Sequence, residues 1–292
     1  MNALLTELLD SGPVLTDGSW GVYLQSLGLQ PGESPDVWNL THPEMIAQVA
    51  RSYVEAGSRV ILTNTFGASR IMLARYGYGE RAYDINNAGA QISRAAAEGK
   101  ARVFASIGPS GAMLLSGDVT EEALSQAFSE QARGLVDGGA EAFVIETMSD
   151  LQEAKLAVAA ARATGLPVVA SMSFDSGKNK DRTMMGVTPE QAAEELSAAG
   201  ADVIGANCGQ GIEGYIPVCS RLRAATAKPI WIKPNAGLPQ VVNGHAVYKM
   251  TPQEFSSYTQ DLVKAGANFI GGCCGSSPEF IREIAQHLNK GE

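Results

Sequence analysis

Cysteine, histidine and tryptophan are scarce, with four, three and three copies among 292 residues. Four cysteines cannot staple a chain of this length, so its stability must come from a core, and thiols this few suit a reducing compartment. Basic side chains are in the minority, 22 Lys and Arg against 31 Asp and Glu, for a net charge of −9. That argues against nonspecific binding to nucleic acid or anionic membrane. No apolar run approaches the roughly 20 residues of a membrane span. The stretch from Met1 to Asp10 carries two acids and no base, unlike a secretory signal. The first turn, Asp17-Gly-Ser-Trp-Gly-Val, lacks the G-x-G-x-x-G cradle and no P-loop pattern occurs, so a dinucleotide-binding fold loses ground. With 45% hydrophobic and 18% charged residues, the chain is too apolar to be disordered. A soluble cytoplasmic enzyme is expected.

What is present is a recurring pattern: an amphipathic stretch, Ala-Gly or Gly-Gly, a short β-branched run, then a polar loop. Four copies are plain, at residues 55–63, 137–145, 198–205 and 264–271. Glycine closes a helix in the left-handed conformation, and the run after it suits a strand buried on both faces. Further strands are expected at 14–16, 102–107, 167–174 and 229–234. Helices are expected at about 43–57, 81–98, 120–138, 150–163, 189–199, 214–226, 252–265 and 278–288. Thr120, Ser149-Asp150, Thr188, Thr251 and Ser277 have the look of helix starts, each followed by an acid or proline. Eight strands alternating with eight helices predict an α/β fold, a single-domain (β/α)8 TIM barrel over residues 1–292. An open doubly wound sheet is the competing architecture.

In such a barrel the chemistry sits at the C-terminal ends of the strands. Those ends carry Asp17-Gly18, Thr63, Gly108-Pro109, Glu146-Thr147, Ser173, Asn207-Cys208, Lys233-Pro234 and Cys273-Cys274. The sixth and eighth strands would bring Cys208, Cys273 and Cys274 to one face. Three thiols there can hold Zn2+, and Gly271, Gly272 and Gly275 allow the distortion that adjacent ligands need. The ordinary alternative is a buried structural cysteine, and Cys219, in the middle of a helix, fits it. A Cys273–Cys274 disulfide is disfavoured in a reducing compartment. His42, His245 and His287 read as loop, cap or surface residues. Met184-Met185 reads as packing or lid. Asp17 and Glu146 can be turn and cap acids or substrate contacts.

Three thiolates make zinc electron-rich, poorly suited to making hydroxide and well suited to holding a fourth, nucleophilic thiolate. The chemistry expected is alkyl transfer to a substrate thiol. For an amino-acid thiol, Asp17 and Glu146 would hold the ammonium. The backbone near Gly18 and the Thr63 hydroxyl would hold the carboxylate.

Several motifs, taken in order, carry a resemblance. They are Asp17-Gly-Ser-Trp-Gly, Thr63-Asn-Thr-Phe-Gly-Ala-Ser69, Ser106-Ile-Gly-Pro-Ser-Gly111 and Glu146-Thr-Met-Ser-Asp-Leu-Gln-Glu-Ala-Lys155. Asn207-Cys-Gly, Pro234-Asn-Ala-Gly-Leu-Pro239 and Gly271-Gly-Cys-Cys-Gly-Ser-Ser-Pro278 complete the set. Together they resemble the homocysteine S-methyltransferase family, nearest to the homocysteine-binding domain of cobalamin-dependent methionine synthases. The resemblance implies a (β/α)8 barrel, zinc on Cys208, Cys273 and Cys274, and a homocysteine site built from Asp17, Gly18, Thr63 and Glu146. Ser19-Trp20 and Lys233 depart from the usual pattern and can change the donor side of the pocket; the alternative for Lys233 is that it snorkels to solvent. The expected donor is a methyl-corrinoid on a separate protein, because methionine synthases carry their cobalamin on further domains. Gly67, where betaine-using relatives place tyrosine, removes one wall of a cation cage and is expected to open the top of the barrel, as a bulky docked donor requires. A small onium donor facing Trp20 or Trp38 is the alternative, although both tryptophans read more readily as packing, and a zinc- or thiol-binding barrel without methyl transfer is a third reading.

Overall fold

A computed structural model describes residues 2–242 and 245–289. Eight parallel strands form a barrel: Val14–Leu15, Val60–Leu62, Arg102–Ile107, Ala142–Met148, Val168–Met172, Val203–Gly211, Ile230–Asn235 and Phe269–Ile270. They neighbour one another in the order first, eighth, seventh, sixth, fifth, fourth, third, second. The seam between the first and second strands is bridged rather than laddered. There Arg59 N–H donates to the Leu15 carbonyl at 2.9 Å, and Leu62 N–H donates instead to the Asp17 carboxylate at 2.7 Å. No helix among the described residues is long and apolar enough to cross a membrane.

The glycines that end the repeated helices do what the pattern requires: Gly57, Gly139, Gly200 and Gly266 have φ between +95° and +105°. At the other ends, Thr120, Asp150, Thr188 and Thr251 accept hydrogen bonds from their helices' first-turn N–H groups, the last two in reciprocal capping boxes. One expected helix is broken: 252–265 forms as Pro252–Ser257 and Thr259–Lys264. At the join, Tyr258 N–H bonds Phe255 O and Asp261 N–H bonds Tyr258 O, so the backbone tightens to a three-residue turn. His245, expected in a polar loop, lies instead on an antiparallel hairpin of Gln240–Val242 with His245–Val247. The Asn243-Gly244 part of that loop falls outside the described residues.

The barrel interior is graded. At its lower end Val60, Phe104, Val144, Val169, Val203, Trp231 and Phe269 form one apolar cluster. An N-terminal helix, Ala3–Leu9, which periodicity did not reveal, adds Leu5 and Leu8 to that cluster and closes the barrel floor. Its Glu7 pairs with Arg102, the first residue of the third strand, at 2.6 Å. Strand side chains alternate faces. Two residues beyond Phe104, Val144, Val169 and Trp231 therefore stand Ser106, Glu146, Ser171 and Lys233, and four beyond Val203 stands Asn207, all buried. The upper interior is a polar layer.

The segment between the first strand and its helix, Pro43–Glu55, folds over the upper rim through Gly21–Ser26, Pro35–Val37 and Trp38–Thr41. Asp36 anchors it, accepting from Gly67 N–H at 3.0 Å and Ser34 Oγ at 3.2 Å. Burial, only partly offset by those bonds, raises its pKa from 3.8 to about 6. The folded chain thus binds this proton more tightly than the unfolded one. The contribution of Asp36 to stability is greatest below about pH 4 and is lost as pH rises through about 6. Asp36→Asn keeps an acceptor for Gly67 and is expected to flatten that slope. At pH 7 it should stabilise the protein by about 1–3 kcal/mol. Urea unfolding at pH 4.5 and 7 checks this, and a variant less stable than wild type at pH 7 would refute it.

Candidate active site

At the upper end of the barrel the sixth strand departs from regular geometry. Cys208 has φ +61° and Gly209 +64°, and the register against the seventh strand shifts between Cys208 and Gly211. Thr147, on the fourth strand, also has a positive φ, +61°, beside another register shift. Such strain persists only where neighbours over-determine it, and here Asn207 does so. Its Oδ1 accepts from Thr147 N–H at 2.8 Å and Ser171 Oγ at 2.7 Å, while its Nδ2 donates to Thr147 Oγ1 at 2.7 Å.

Cys273 and Cys274 follow the eighth strand in a turn tied to the seventh. Cys273 N–H donates to Pro234 O at 2.7 Å, Cys274 N–H to Asn235 Oδ1 at 3.1 Å, and Ala236 N–H to Cys274 O at 2.9 Å. Gly271 is required by close approach, since a Cβ there would meet Thr16 Oγ1 at 2.0 Å. Gly275 combines φ +83° with the Tyr248 ring 2.2 Å from where a Cβ would stand.

The three sulfurs lie within 4.8 Å of one another, with Cys208 Sγ 3.9 Å from Cys274 Sγ. Tetrahedral zinc with bonds of about 2.3 Å would space its sulfurs by about 3.8 Å, so the donor set fits that ion. All three cysteines are free and half-buried, which leaves a path from solvent. For Cys208 the bond with Cys273 favours the thiolate, but the contact with Cys274 and burial oppose it, and the thiol is pushed up to about 12. Cys274 stands at about 12 too, its bond with Cys208 outweighed by Cys273 and burial. Cys273 is raised by its bond with Cys208 and by burial. Cys219 is fully buried in the helix Ile212–Ala225 and plays no part here.

The acids expected near the substrate have protein partners. Asp17 is fully buried; its Oδ1 accepts from Lys233 Nζ at 2.5 Å, and its Oδ2 from Trp20 Nε1 at 2.8 Å and Leu62 N–H at 2.7 Å. Glu146 Oε1 accepts from Ser106 Oγ at 2.5 Å, and its Oε2 has only a long contact, 3.4 Å, with Asn207 Nδ2. Burial raises the Glu146 pKa against the opposing pull of Lys233. The Thr63 hydroxyl lies 2.5 Å from that of Thr65 and accepts from Ser106 N–H at 3.0 Å. Gly18 has no room for a side chain, because a Cβ would sit 2.7 Å from Ser276 O.

A profile of the homocysteine S-methyltransferase family matches residues 14–288. The chain belongs to the homocysteine S-methyltransferase family. It is 29% identical over 300 residues to the methionine synthases of Mycobacterium tuberculosis (strain ATCC 25618 / H37Rv) and Mycobacterium leprae (strain TN), covering 96% of this chain and 25% of each relative. The chain thus spans about a quarter of the length of these curated relatives. Among solved structures, the oxidized form of the homocysteine methyltransferase MmuM from Escherichia coli superposes with a TM-score of 0.81 at 23% identity. That match covers 98% of this chain and 99% of that one. Its metallated form gives 0.81 at 22%, covering 97% and 99%. These structural likenesses establish the barrel fold.

For this family member, three expectations need correcting or refining. Lys233 does not snorkel: its side chain is 2% exposed and faces inward above the Trp231 ring, 5.8 Å from its centroid. Beside Gly67 the space is filled, since a Cβ there would come within 2.9 Å of Asp36 Oδ2. Trp38 is buried and stacked on His42 at 4.3 Å, which makes it packing, whereas Trp20 lies at the site through its bond to Asp17. Two residues escaped the sequence reading. Asn207 was visible only as the neighbour of Cys208. Tyr248 lies over Gly275, and its phenol is raised by burial and by Cys274; an isolated tyrosine after a polar loop gives no signal.

Proposed function

We propose that this protein transfers a methyl group to the sulfur of homocysteine, giving methionine, with zinc held by Cys208, Cys273 and Cys274. The observation that carries the reading is the set of three free thiols within 4.8 Å of one another at the open end of the barrel. When bound there, zinc keeps an acceptor thiol deprotonated at neutral pH while leaving it nucleophilic. The chain's own residues do the rest. Asn207, bonded to the fourth and fifth strands, holds the strained backbone that presents Cys208. The Gly18 backbone and Thr63 hydroxyl receive the acceptor's carboxylate. The side of the pocket bounded by Asp17 and Glu146 receives its amino end. The acceptor sulfur attacks the methyl carbon as the donor–carbon bond breaks, and that electron pair leaves with the donor.

We assign the donor as a methyl-corrinoid on a separate protein. The likeness to methionine synthases and the Pro234-Asn-Ala-Gly-Leu-Pro239 stretch support this, as does the engagement of the Trp20 indole with Asp17. The test offers methylcobalamin, betaine, S-methylmethionine and S-adenosylmethionine separately to zinc-loaded protein with homocysteine and measures methionine. Turnover is expected with methylcobalamin. Rapid turnover with betaine and none with methylcobalamin would reject the corrinoid assignment, and no methionine from any donor would reject the function.

A further inference from the structure

Ser106 stands in the polar layer between the two ends of the proposed acceptor site and is 2% exposed. Its side chain reaches one end: Ser106 Oγ donates to Glu146 Oε1 at 2.5 Å. Its backbone reaches the other: Ser106 N–H donates to Thr63 Oγ1 at 3.0 Å, and Ser106 O accepts from Thr65 Oγ1 at 2.8 Å. The Thr63 and Thr65 hydroxyls lie 2.5 Å apart. A hydroxyl has one hydrogen, and that of Ser106 is committed to the acid, so Ser106 offers no donor of its own to a ligand. What it does is hold the groups that touch one. With Oε1 pinned, Glu146 Oε2 keeps only the 3.4 Å contact with Asn207 Nδ2 and is the oxygen open to a cation. At the other end, Thr63 Oγ1 accepts from Ser106 N–H and has a second lone pair for the Thr65 hydroxyl, which frees the Thr63 hydrogen to turn to a carboxylate.

We infer that Ser106 is a positioning residue for the acceptor's α-amino-acid head: its hydroxyl aims Glu146 at the ammonium, and its backbone holds Thr63 for the carboxylate. The inference rests on the reading of this site as the acceptor site. The ammonium and carboxylate of an α-amino acid share one carbon, so the groups that hold them must keep a set separation. One buried residue fixes both here, and holding them before the ligand arrives lowers the ordering cost of binding. The two arms are separable. A substitution at Ser106 removes the hydroxyl and leaves the backbone N–H, so it loosens the amino end alone.

The test is calorimetric. Protein carrying its metal is titrated at pH 7 with homocysteine and with 4-sulfanylbutanoate, the same thiol without its amino group. Wild type is expected to prefer homocysteine by about tenfold or more, as a charge-assisted hydrogen bond to the ammonium confers. In Ser106→Ala the homocysteine Kd should rise about tenfold, while that of 4-sulfanylbutanoate changes by less than about threefold. Glu146→Gln, which keeps an acceptor for Ser106, should lower the same preference. Adding Ser106→Ala to it should then change the preference by less than about threefold, because Ser106 acts through the Glu146 carboxylate. Ser106→Cys keeps a weak donor and should fall between wild type and Ser106→Ala, which leaves a second variant should the first not fold. An unchanged preference in the folded Ser106 variants overturns the inference, as does an equal loss of both thiols or full additivity in the double variant. Equal binding of the two thiols by wild type, or failure of both to bind, overturns the acceptor-site reading and the inference with it.

Discussion

Cys273→Ala is expected to abolish stoichiometric zinc binding, from one ion per chain in the wild type. Cys273 stands on the eighth strand's turn with Cys274, and Cys208 closes the set from the sixth. Losing an outer-shell partner of a metal site typically lowers affinity by about 10–100-fold, and losing a ligand must cost at least as much. Methyl transfer should fall with the metal. Metal analysis after dialysis against a weak chelator gives the answer, with Cys219→Ala as the control: its sulfur lies in the core of a helix and its loss should leave zinc content unchanged. Full zinc in the Cys273 variant would show the assignment to be wrong.

Lys233→Met should destabilise the fold more than any surface substitution, by about 3–5 kcal/mol, because it strands a buried carboxylate. The wild-type pair is enclosed, with side-chain exposures of 2% for Lys233 and 0% for Asp17. Trp20 and Leu62 still donate to Asp17, which moderates the loss without supplying a countercharge. Removing both charges in Asp17→Asn/Lys233→Met should recover much of the stability, since a neutral site no longer carries an unpaired ion. Urea unfolding of wild type, both single variants and the double variant measures the coupling. A coupling energy near zero would mean that the two charges do not sense each other, contrary to their 2.5 Å contact.

Both experiments probe parts of the molecule that differ in how far they could be read in advance. The barrel was legible because its determinants are local. A β-branched run after a glycine cap specifies a strand buried on both faces, and Thr188-Pro-Glu-Gln or Thr251-Pro-Gln-Glu specifies a helix start within four residues. Once eight such units are counted, the strand ends follow by topology, and with them the convergence of Cys208, Cys273 and Cys274. The sequence by itself therefore determined the architecture and the identity of the thiol cluster. The floor helix Ala3–Leu9 was not legible, because a single short apolar helix gains its stability from the cluster it plugs rather than from its own pattern. The break at Tyr258 likewise follows from packing rather than from a breaker residue. Lys233 is the clearest case. A long side chain with a charged tip can reach water or stay inside, and its own sequence context is compatible with either. The choice was made by Asp17, 216 residues away, whose carboxylate the closed barrel brings to 2.5 Å. Pairing and burial depend on distances between strands, so only the tertiary structure decided which charges face each other inside the site.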